Sequence, residues 1–369
     1  MSNKLPHFTN FAQKNPPERA DIAVDISRKK VYTTTTQTKE NFMDTSFLNG
    51  KKIVITGATG TVGKALTKII LRSATPTKLV LVNQSENNQV NFMRELAEEF
   101  TPEVLAPTQF CLLDIANYAL FAPLVVGADY VIHTAALKHI NLCEDNPQTA
   151  INTNVVGTQN VVNACIFGKV KKAVLLSTDK AVNPSSTYGA SKLLAESLFL
   201  SQGNQITNFS VLRCGNIAGS HGSVVPFFAE KLKKGEQVLP ITDEKMVRFW
   251  LDVNQVVNAL LFLLSSSVGG EVLIPKMPSF YLTDLVKALS STATYKVVGL
   301  RKGEKINEEI LNHNKDIFQS DDYYLELPAD KPAPQGYIKV TNINYSTQNN
   351  PIYLSIEELK QKIKELNLC

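Results

Sequence analysis

The feature that most limits the possible folds is a glycine-rich turn between an apolar strand and a helical segment. Residues 53–56 form a short apolar run, and Gly57, Gly60 and Gly63 follow at three-residue spacing before the helical pattern begins. In that context the first glycine permits a tight turn, the second lets the backbone approach a pyrophosphate, and the third lets helix and strand pack closely. The helix amides near Thr61 can then hold the anion. The turn predicts a dinucleotide-binding site, with an ordinary strand-to-helix connection as the alternative.

After the turn, short apolar strands alternate with amphipathic helices. Further strands are predicted at residues 78–82, 110–113, 130–134, 172–176 and 209–213, and helices at residues 64–72, 90–100, 149–167 and 188–201. This alternation requires a parallel sheet covered by helices on both faces. We therefore predict an α/β protein with a doubly wound parallel (Rossmann) sheet.

Shorter, proline-punctuated elements after Arg213 predict a smaller C-terminal substrate-binding domain. The predicted organisation is a flexible N-terminal tail at 1–48, a dinucleotide-binding domain with the catalytic residues at 49–213, and a mainly substrate-binding domain at 214–369. The substrate-binding domain is expected to be partly interleaved with the dinucleotide-binding domain. Capping-box spacings predict two helices in this last part, at 253–264 after Asp252 and Gln255 and at 356–366 after Ser355 and Glu358.

Composition excludes several classes of protein. Lys and Arg total 38 against 34 Asp and Glu, and the net charge of +4 is too small and dispersed to indicate a nucleic-acid partner. The longest apolar run, residues 259–264, is far shorter than a membrane span. Five cysteines without a Cys-x-x-Cys pair are typical of reduced thiols, so we expect a cytoplasmic protein. His139 has no second ligand at metal-binding spacing, and no metal site is predicted.

A second motif combines a tyrosine and a lysine one helical turn apart. Tyr188 and Lys192 are i and i+4 and share a helix face. An ammonium beside a phenol favours the phenolate, which suits a base that removes a proton from a hydroxyl group held by Thr178. The alternative for this common pair is a helix-surface contact.

The end of the second strand bears on the choice between NAD and NADP. An acidic residue there binds the ribose diol, and an arginine binds a 2′-phosphate. This chain has Asn83-Gln84-Ser85, so the repulsion that excludes a phosphate is absent. We therefore expect NADP, with NAD possible. Asp114, after the third strand, is a candidate acceptor for the adenine amino group or a turn-capping residue.

These motifs, with others, resemble the extended short-chain dehydrogenase/reductases, and within them the inverting UDP-N-acetylglucosamine 4,6-dehydratases of surface-polysaccharide biosynthesis. The resemblance spans about residues 51–309. It is carried by Ala135-Ala136-Leu137-Lys138-His139, Ser177-Thr178-Asp179-Lys180-Ala181-Val182-Asn183-Pro184, Gly215-Asn216, Gly222-Ser223-Val224-Val225-Pro226-Phe227-Phe228, Arg248-Phe249-Trp250 and Arg301-Lys302-Gly303-Glu304-Lys305. The pair Asp179-Lys180 is its discriminating part, because simple reductases and 4-epimerases lack an acid and a base directly after the threonine.

The resemblance implies a reaction and roles for these residues. Tyr188 takes the C4 hydroxyl proton as hydride leaves C4. Lys180 is kept neutral and removes the C5 proton. Asp179 is protonated and donates its proton to the departing C6 hydroxyl. The implied cofactor-binding residues are Gly57, Thr59, Gly60, Thr61, Val62, Gly63, Asn83, Asp114, Ile115, Ala135, Ala136, Lys138, Asn154, Ser177, Tyr188 and Lys192. The implied substrate-binding residues are Lys138, Asn216, Ser223, Val224, Arg248, Arg301 and Glu304.

The implied partner is UDP-N-acetylglucosamine or a related UDP-sugar, and a homo-oligomer is expected. Retaining relatives typically carry Met at the position of Tyr188, which favours inversion at C5. The family pattern has Arg where this chain has His221, and an aromatic residue where it has Cys214. The alternatives are a C5-retaining dehydratase, a UDP-hexose 4-epimerase, and a dinucleotide-sensing scaffold without turnover.

Overall fold

The structure is a computed structural model that describes residues 43–202, 206–312, 315–329 and 331–366. The strands are β1 (Lys52–Thr56), β2 (Lys78–Asn83), β3 (Thr108–Leu112), β4 (Tyr130–His133), β5 (Lys172–Thr178), β6 (Asn208–Cys214), β7 (Val238–Ile241), β8 (Val247–Phe249), β9 (Val272–Pro275), β10 (Ser279–Tyr281), β11 (Thr294–Val297), β12 (Asp316–Gln319), β13 (Tyr323–Leu327) and β14 (Ile338–Val340). The helices are α1 (Thr61–Ser73), α2 (Glu86–Glu99), α3 (Pro102–Leu105), α4 (Tyr118–Val125), α5 (Ile140–Asp145), α6 (Pro147–Ile151), α7 (Gly157–Phe167), α8 (Thr187–Leu200), α9 (Val224–Lys233), α10 (Val253–Ser266), α11 (Leu282–Leu289) and α12 (Ile356–Glu365).

Ten strands form one twisted sheet in the order β14-β12-β13-β9-β6-β5-β4-β1-β2-β3. From β3 to β9 the strands are parallel, and β13, β12 and β14 extend the sheet antiparallel. Helix α1 packs against α10, whereas α7 packs against α4 and α8. The predicted doubly wound sheet is confirmed, and β9 shows that residues beyond 213 take part in it. The division after residue 213 remains a prediction.

The strand order reverses between β1 and β4, which are neighbours in the sheet although β2 and β3 separate them in sequence. In parallel α/β sheets, ligands bind at the carboxyl ends of the strands beside such a reversal. Here Thr56 at the end of β1 pairs in register with His133 at the end of β4. The glycine turn follows Thr56 directly, so the topology places the turn at the expected binding edge.

Several helices begin where side chains satisfy the free amides of the first turn. Ser85 caps α2 by accepting from Asn88 N at 3.4 Å, so this helix begins four residues before the predicted Val90. The two predicted capping boxes, Asp252 with Gln255 and Ser355 with Glu358, are confirmed at α10 and α12. The predicted continuous helix at 149–167 is wrong in one respect, because a π-helical segment at Asn152–Val156 separates α6 from α7.

The packed part of the chain begins earlier than predicted. Residues 1–42 of the predicted tail lie outside the described residues. Residues 43–48, assigned to the same tail, pack against the sheet domain: Leu48 is fully buried, and Thr45 donates from Oγ1 to the Ser73 carbonyl at 2.7 Å. Burial of an apolar side chain and a satisfied hydroxyl are features of ordered structure, so the tail boundary at residue 48 was too late.

Two hydrophobic clusters account for most of the described core. The larger one lies around the ten-stranded sheet and contains residues from both predicted domains, such as Val211 and Leu273. The smaller one lies entirely beyond residue 217 and joins α9, α11 and α12 through Phe228, Leu285 and Leu359. No helix among the described residues is long and apolar enough to cross a membrane.

Candidate active site

The glycine turn is shaped by close backbone contacts that leave no room for side chains. Gly57 has a φ of +70°, and a Cβ atom there would lie 2.6 Å from the backbone nitrogen of Ala135. A Cβ on Gly63 would lie 2.4 Å from the carbonyl oxygen of Gly57. Gly60 caps α1 without a side-chain hydrogen bond, so the first amides of the helix are left for an anion. The turn fits a dinucleotide pyrophosphate.

The other predicted residues of this turn lie along its rim. Thr59 and Thr61 are half-buried, Val62 is buried, and Ala135 and Ala136 are half-buried after β4 on the facing side. The Thr61 hydroxyl accepts from the backbone amide of His221 at 3.2 Å. The segment that carries His221 therefore touches the start of α1.

A buried histidine supports the turn from below. His133 is fully buried; its Nδ1 lies 2.7 Å from the Thr56 hydroxyl, and its Nε2 lies 3.0 Å from the Thr158 hydroxyl. Burial, with the Lys192 charge adding to it, lowers the pKa of His133 to about 3. The neutral ring therefore connects the last residue of β1 to α7.

Asn154 lies in the π-helical segment and organises the loop after β4. Its Oδ1 accepts from Leu137 N at 2.8 Å, and its Nδ2 donates to the Leu137 carbonyl and the Ser191 hydroxyl, both at 2.9 Å. Ser191 in turn donates to the Tyr188 carbonyl at 2.7 Å. A π-helical turn often marks a functional site. Asn154 therefore holds the predicted cofactor loop against the helix that carries Tyr188 and Lys192.

Asp179 and Lys180 form a buried ion pair where β5 ends. Asp179 is fully buried, and its Oδ1 accepts from Lys180 Nζ and from the Thr178 hydroxyl, each at 2.9 Å. The same ammonium lies 3.3 Å from Glu308 Oε1 and 3.4 Å from Asn216 Oδ1. One lysine thus contacts two buried carboxylates and one amide.

The expected neutral state of Lys180 is not the state that this arrangement favours. Burial alone lowers the pKa of Lys180, but the carboxylates of Asp179 and Glu308 outweigh both burial and the opposing charge of Arg248. The pKa therefore lies above its ordinary value, and Lys180 is an ammonium. The sequence showed a neighbouring cation but not the second carboxylate, so Lys180 must first give up a proton to act as the expected neutral base.

Tyr188 and Lys192 share a buried face of α8, yet their charges do not follow the expectation. Burial raises the pKa of Tyr188 above its ordinary value, although the Lys180 ammonium and the Thr178 hydroxyl act in the opposite direction. Burial lowers the pKa of Lys192 to about 8, and its ammonium donates to the Leu176 carbonyl at 2.8 Å. The cation that favours the phenolate form of Tyr188 in this structure is therefore Lys180, whereas the sequence motif indicated Lys192.

The predicted cofactor-binding residues beyond the turn differ in whether their polar side chains already have hydrogen-bond partners. Ser177 Oγ is buried with no hydrogen-bond partner among the described residues, so it is available to a ligand. Asp114 Oδ1 accepts from Ala116 N at 2.9 Å as a turn cap, beside the buried Ile115. Asn83 donates to Gln89 and accepts from Ser85 N, so it braces the start of α2.

The two arginines predicted to bind substrate differ in burial. Arg248 is buried, and its guanidinium donates to three backbone carbonyls, those of Val247, Lys305 and Ile306, at 2.7–2.8 Å. Most of its donor capacity therefore holds the backbone of residues 247, 305 and 306 in place, and its role in substrate binding stays a prediction. Arg301 is exposed, and its guanidinium lies 3.9 Å from the Glu304 carboxylate in a long ion pair.

The remaining predicted substrate-side residues lie on three separate segments, the 301–305 loop, the start of α9 and the loop after β4. Glu304 accepts from Arg301 N and the Thr242 hydroxyl and so braces its loop. Ser223 Oγ is buried without a partner among the described residues, beside Val224 at the start of α9. Lys138 lies on the loop after β4, and burial lowers its pKa. His139 Cε1 lies 2.5 Å from where a Gly222 Cβ would be, which is a packing contact.

Two residues of this site were not among the predicted ones. Glu308 is 2% exposed and contacts Lys180, and His133 supports the turn. Glu308 stands in a Glu-Glu pair after the 301–305 segment, a pattern that is ordinarily a solvated surface. His133 ends a predicted strand, and a lone strand histidine has no distinguishing signal. Cys214, which stands where the family pattern has an aromatic residue, is buried, and its thiol lies 3.6 Å from the Ser177 carbonyl.

Comparisons with known proteins agree on one family. A family model described as "Polysaccharide biosynthesis protein" matches residues 53–326. The chain is 37% identical over 333 residues to a Campylobacter jejuni protein named UDP-N-acetylglucosamine 4,6-dehydratase (inverting), with 85% of this chain and 98% of that protein covered. It is 33% identical over 336 residues to a Rickettsia canadensis protein named UDP-glucose 4-epimerase, with 86% and 96% covered. The X-ray structure of Pen from Bacillus thuringiensis aligns with a TM-score of 0.81 and 33% identity, covering 88% of this chain and 100% of that chain.

Proposed function

Because the chain belongs to the polysaccharide biosynthesis protein family, we propose that it is a C5-inverting UDP-N-acetylglucosamine 4,6-dehydratase. The reaction oxidises C4, eliminates water across C5 and C6, and returns hydride to C6 to give a UDP-4-keto-6-deoxy sugar. The relative of that name from Campylobacter jejuni supports this assignment over nearly its whole length.

One structural observation carries the proposal. A carboxyl group and an amine, Asp179 and Lys180, lie 2.9 Å apart in a buried site directly after the strand that ends at Thr178. Elimination of water next to a ketone needs a base for the carbon-bound proton and an acid for the departing hydroxyl. A 4-epimerase needs neither, so the pair favours dehydration.

The glycine turn, the Ser177 hydroxyl and the Lys192 ammonium are the groups that would hold a nicotinamide dinucleotide. When bound, the nicotinamide supplies a hydride acceptor for C4 and the hydride that returns to C6. We propose NADP, because the end of β2 presents Asn83 and no carboxylate in the position that would repel a 2′-phosphate. The cytoplasmic location and the homo-oligomer remain predictions.

Tyr188 is the group that we assign to the C4 hydroxyl. The phenol is buried on α8, which holds its pKa above the ordinary value, and the Lys180 ammonium is the charge that acts in the opposite direction. As a phenolate it accepts the hydroxyl proton while the C4–H bond breaks, and the oxygen becomes a carbonyl. Thr178 lies at the same strand end and can hold the hydroxyl in place.

The elimination step needs the Asp179–Lys180 pair in its neutral form. Moving one proton from Lys180 Nζ to Asp179 Oδ1, across 2.9 Å, converts ammonium and carboxylate into amine and carboxylic acid with no change in total charge. The amine then takes the C5 proton that the ketone has acidified, and the acid gives its proton to the C6 hydroxyl, which leaves as water. The pair ends as ammonium and carboxylate, as it began. After hydride returns to C6, C5 must regain one proton, and inversion requires that this proton arrive on the face opposite to the one from which Lys180 removed it.

Substrate contacts are proposed for the exposed and orphaned groups. Arg301 has an exposed guanidinium that suits a diphosphate, and the unpartnered Ser223 hydroxyl at the start of α9 can donate to it. We assign Asn216 to the sugar, because its side-chain oxygen accepts from Lys180 Nζ at 3.4 Å. Arg248 supports this surface indirectly through the backbone of residues 305 and 306.

Mass spectrometry of the nucleotide sugar tests the proposal. The wild-type protein, incubated with NADP and UDP-N-acetylglucosamine, is expected to give a product lighter by one water. Asp179→Asn, which keeps the side-chain shape but removes the acid, is the matched control and should give little of it. A wild-type product of unchanged mass would refute the assignment and favour epimerisation.

A further inference from the structure

Lys180 has two carboxylate partners, and only one of them is its neighbour in sequence. Asp179 Oδ1 lies 2.9 Å and Glu308 Oε1 3.3 Å from the ammonium nitrogen. Glu308 comes from the far side of the site, between the 301–305 loop and β12. Since it is 2% exposed, its charge is poorly screened by water.

The backbone holds Glu308 in place independently of the ion pair. Its amide donates to the Thr347 hydroxyl at 2.9 Å, and its carbonyl accepts from the Thr347 amide at 2.8 Å. Thr347 is fully buried, and the next residue, Glu309, forms an isolated antiparallel bridge with Ser346. The carboxylate is thus presented to Lys180 by a fixed segment, not by a flexible loop.

The second oxygens of both carboxylates are unusual. Asp179 Oδ2 and Glu308 Oε2 are both buried, and neither has a hydrogen-bond partner among the described residues. A buried carboxylate oxygen without a donor is costly, and Lys180 is the cation that both carboxylates share. The charged and titratable groups around Lys180 are Asp179, Glu308, Arg248, Tyr188 and Cys214.

We propose that Glu308 is a positioning residue for Lys180: it fixes the Nζ atom between Asp179 and Asn216, and it stabilises the ammonium that forms when Lys180 takes a proton from substrate. This role rests on the proposed function. Asp179 cannot fill it alone, because in the neutral pair Asp179 is an uncharged carboxylic acid until its proton has passed to the departing hydroxyl. Glu308 keeps its charge throughout and makes Lys180 a stronger base for a carbon acid.

The test compares Glu308→Gln with Glu309→Gln. The first substitution keeps the side-chain shape and an acceptor for Nζ but removes the charge. Glu309 contacts Asn183 and not Lys180, so its substitution is a matched control. The pH dependence of lysine acetylation in the protein, read by mass spectrometry on the peptide that contains Lys180, gives the titration midpoint of that amine. Steady-state kinetics with UDP-N-acetylglucosamine give kcat and KM.

For Glu308→Gln we expect the Lys180 midpoint to fall by about one pH unit or more, as expected when an opposite charge is removed from within hydrogen-bond reach. We expect kcat to fall at least about tenfold with KM nearly unchanged, and Glu308→Asp to recover part of it. Glu309→Gln should change neither. An unchanged midpoint in Glu308→Gln overturns the proposal, and so does an equal loss in Glu309→Gln.

If the Glu308→Gln protein does not fold, the proposal can still be tested on the wild-type protein. There the Lys180 midpoint should lie above that of the exposed Lys302, and a midpoint at or below it overturns the proposal. Wild-type protein that turns over no UDP-sugar refutes the proposed function instead, and the labelling midpoint still reports whether Glu308 controls the charge of Lys180.

Discussion

Lys180 Nζ lies 2.9 Å from Asp179 Oδ1, in a site where Asp179 has no exposure to solvent. The contact is a buried ion pair, and on geometry alone it could be purely structural. The ion pair lies at the end of β5, next to Tyr188 on the following helix, where it can take part in acid–base catalysis. A base and an acid that can exchange one proton are ready for an elimination without any proton from solvent.

Replacing the base should stop proton removal from carbon while leaving the cofactor site intact. Lys180→Ala is expected to lower C5 exchange into deuterium oxide by at least about 10²-fold, because general base catalysis is lost. Asp179 and Glu308 would remain buried without a counter-ion, so the free energy of unfolding should fall by about 3–5 kcal/mol. NMR measures the exchange, and calorimetry measures dinucleotide binding, which should persist. Lys302→Ala, which removes an exposed lysine, is the control; normal C5 exchange in Lys180→Ala would rule out Lys180 as the base.

Tyr188→Phe tests the first step separately from the second. The substitution removes one buried hydroxyl and keeps the ring, so folding should be preserved while C4 oxidation falls by about 10²–10⁴-fold. Absorbance of the reduced nicotinamide, followed after mixing with the sugar nucleotide, should show no transient reduction. Tyr118→Phe changes an exposed tyrosine on α4 and should behave as wild type. Equal transients in Tyr188→Phe and wild type would contradict the assigned role.

Two glycines with the same backbone conformation allow the effect of backbone strain to be measured separately from the effect of a steric clash in the phosphate turn. Gly57 and Gly127 both have a φ of +70°, but a Cβ on Gly57 would meet Ala135 at 2.6 Å, whereas one on Gly127 meets nothing within 4 Å. Both alanine variants should lose about 1–2 kcal/mol of stability from the left-handed backbone. Only Gly57→Ala should also lose dinucleotide affinity, by at least about tenfold in a binding titration. Equal affinities in the two variants would contradict a pyrophosphate site at the turn.

His133 predicts how stability depends on pH. Its pKa is about 3 in the folded protein and 6.5 when unperturbed, so between those values the unfolded chain binds more protons. Stability contributed by the neutral ring is therefore present above about pH 6.5 and is lost as pH falls, by up to about 1.4 kcal/mol per pH unit. Denaturant unfolding at pH 7 and pH 5 should show a steeper loss in wild type than in His133→Gln. Parallel losses would mean that His133 takes up its proton over the same pH range in the folded and unfolded protein.

Local features of the site could be predicted from the sequence. The glycine spacing, the i and i+4 relation of Tyr188 and Lys192, and the adjacency of Asp179 and Lys180 are fixed by short-range geometry. The parallel sheet with helices on both faces follows from the alternation of strands and helices. The family resemblance was confirmed for the same reason, since it rests on these short segments.

Charge states and long-range contacts could not be predicted in this way. Whether Lys180 is neutral depends on Glu308, which reaches it only after the chain has folded back. Whether Arg248 can meet a phosphate depends on the carbonyls of residues 305 and 306, which no local pattern places beside it. Tyr188 differs from expectation because burial, which a spacing motif does not report, dominates its pKa.

The most direct test of the central claim is NMR of the product formed from UDP-N-acetylglucosamine in deuterium oxide. A C5-inverting dehydratase predicts a 4-keto-6-deoxy sugar with deuterium at C5 and the C5 configuration opposite to that of the substrate. A 4-keto-6-deoxy product with the original C5 configuration would contradict inversion. A C4 epimer that keeps its C6 hydroxyl and its C5 hydrogen would contradict the account as a whole.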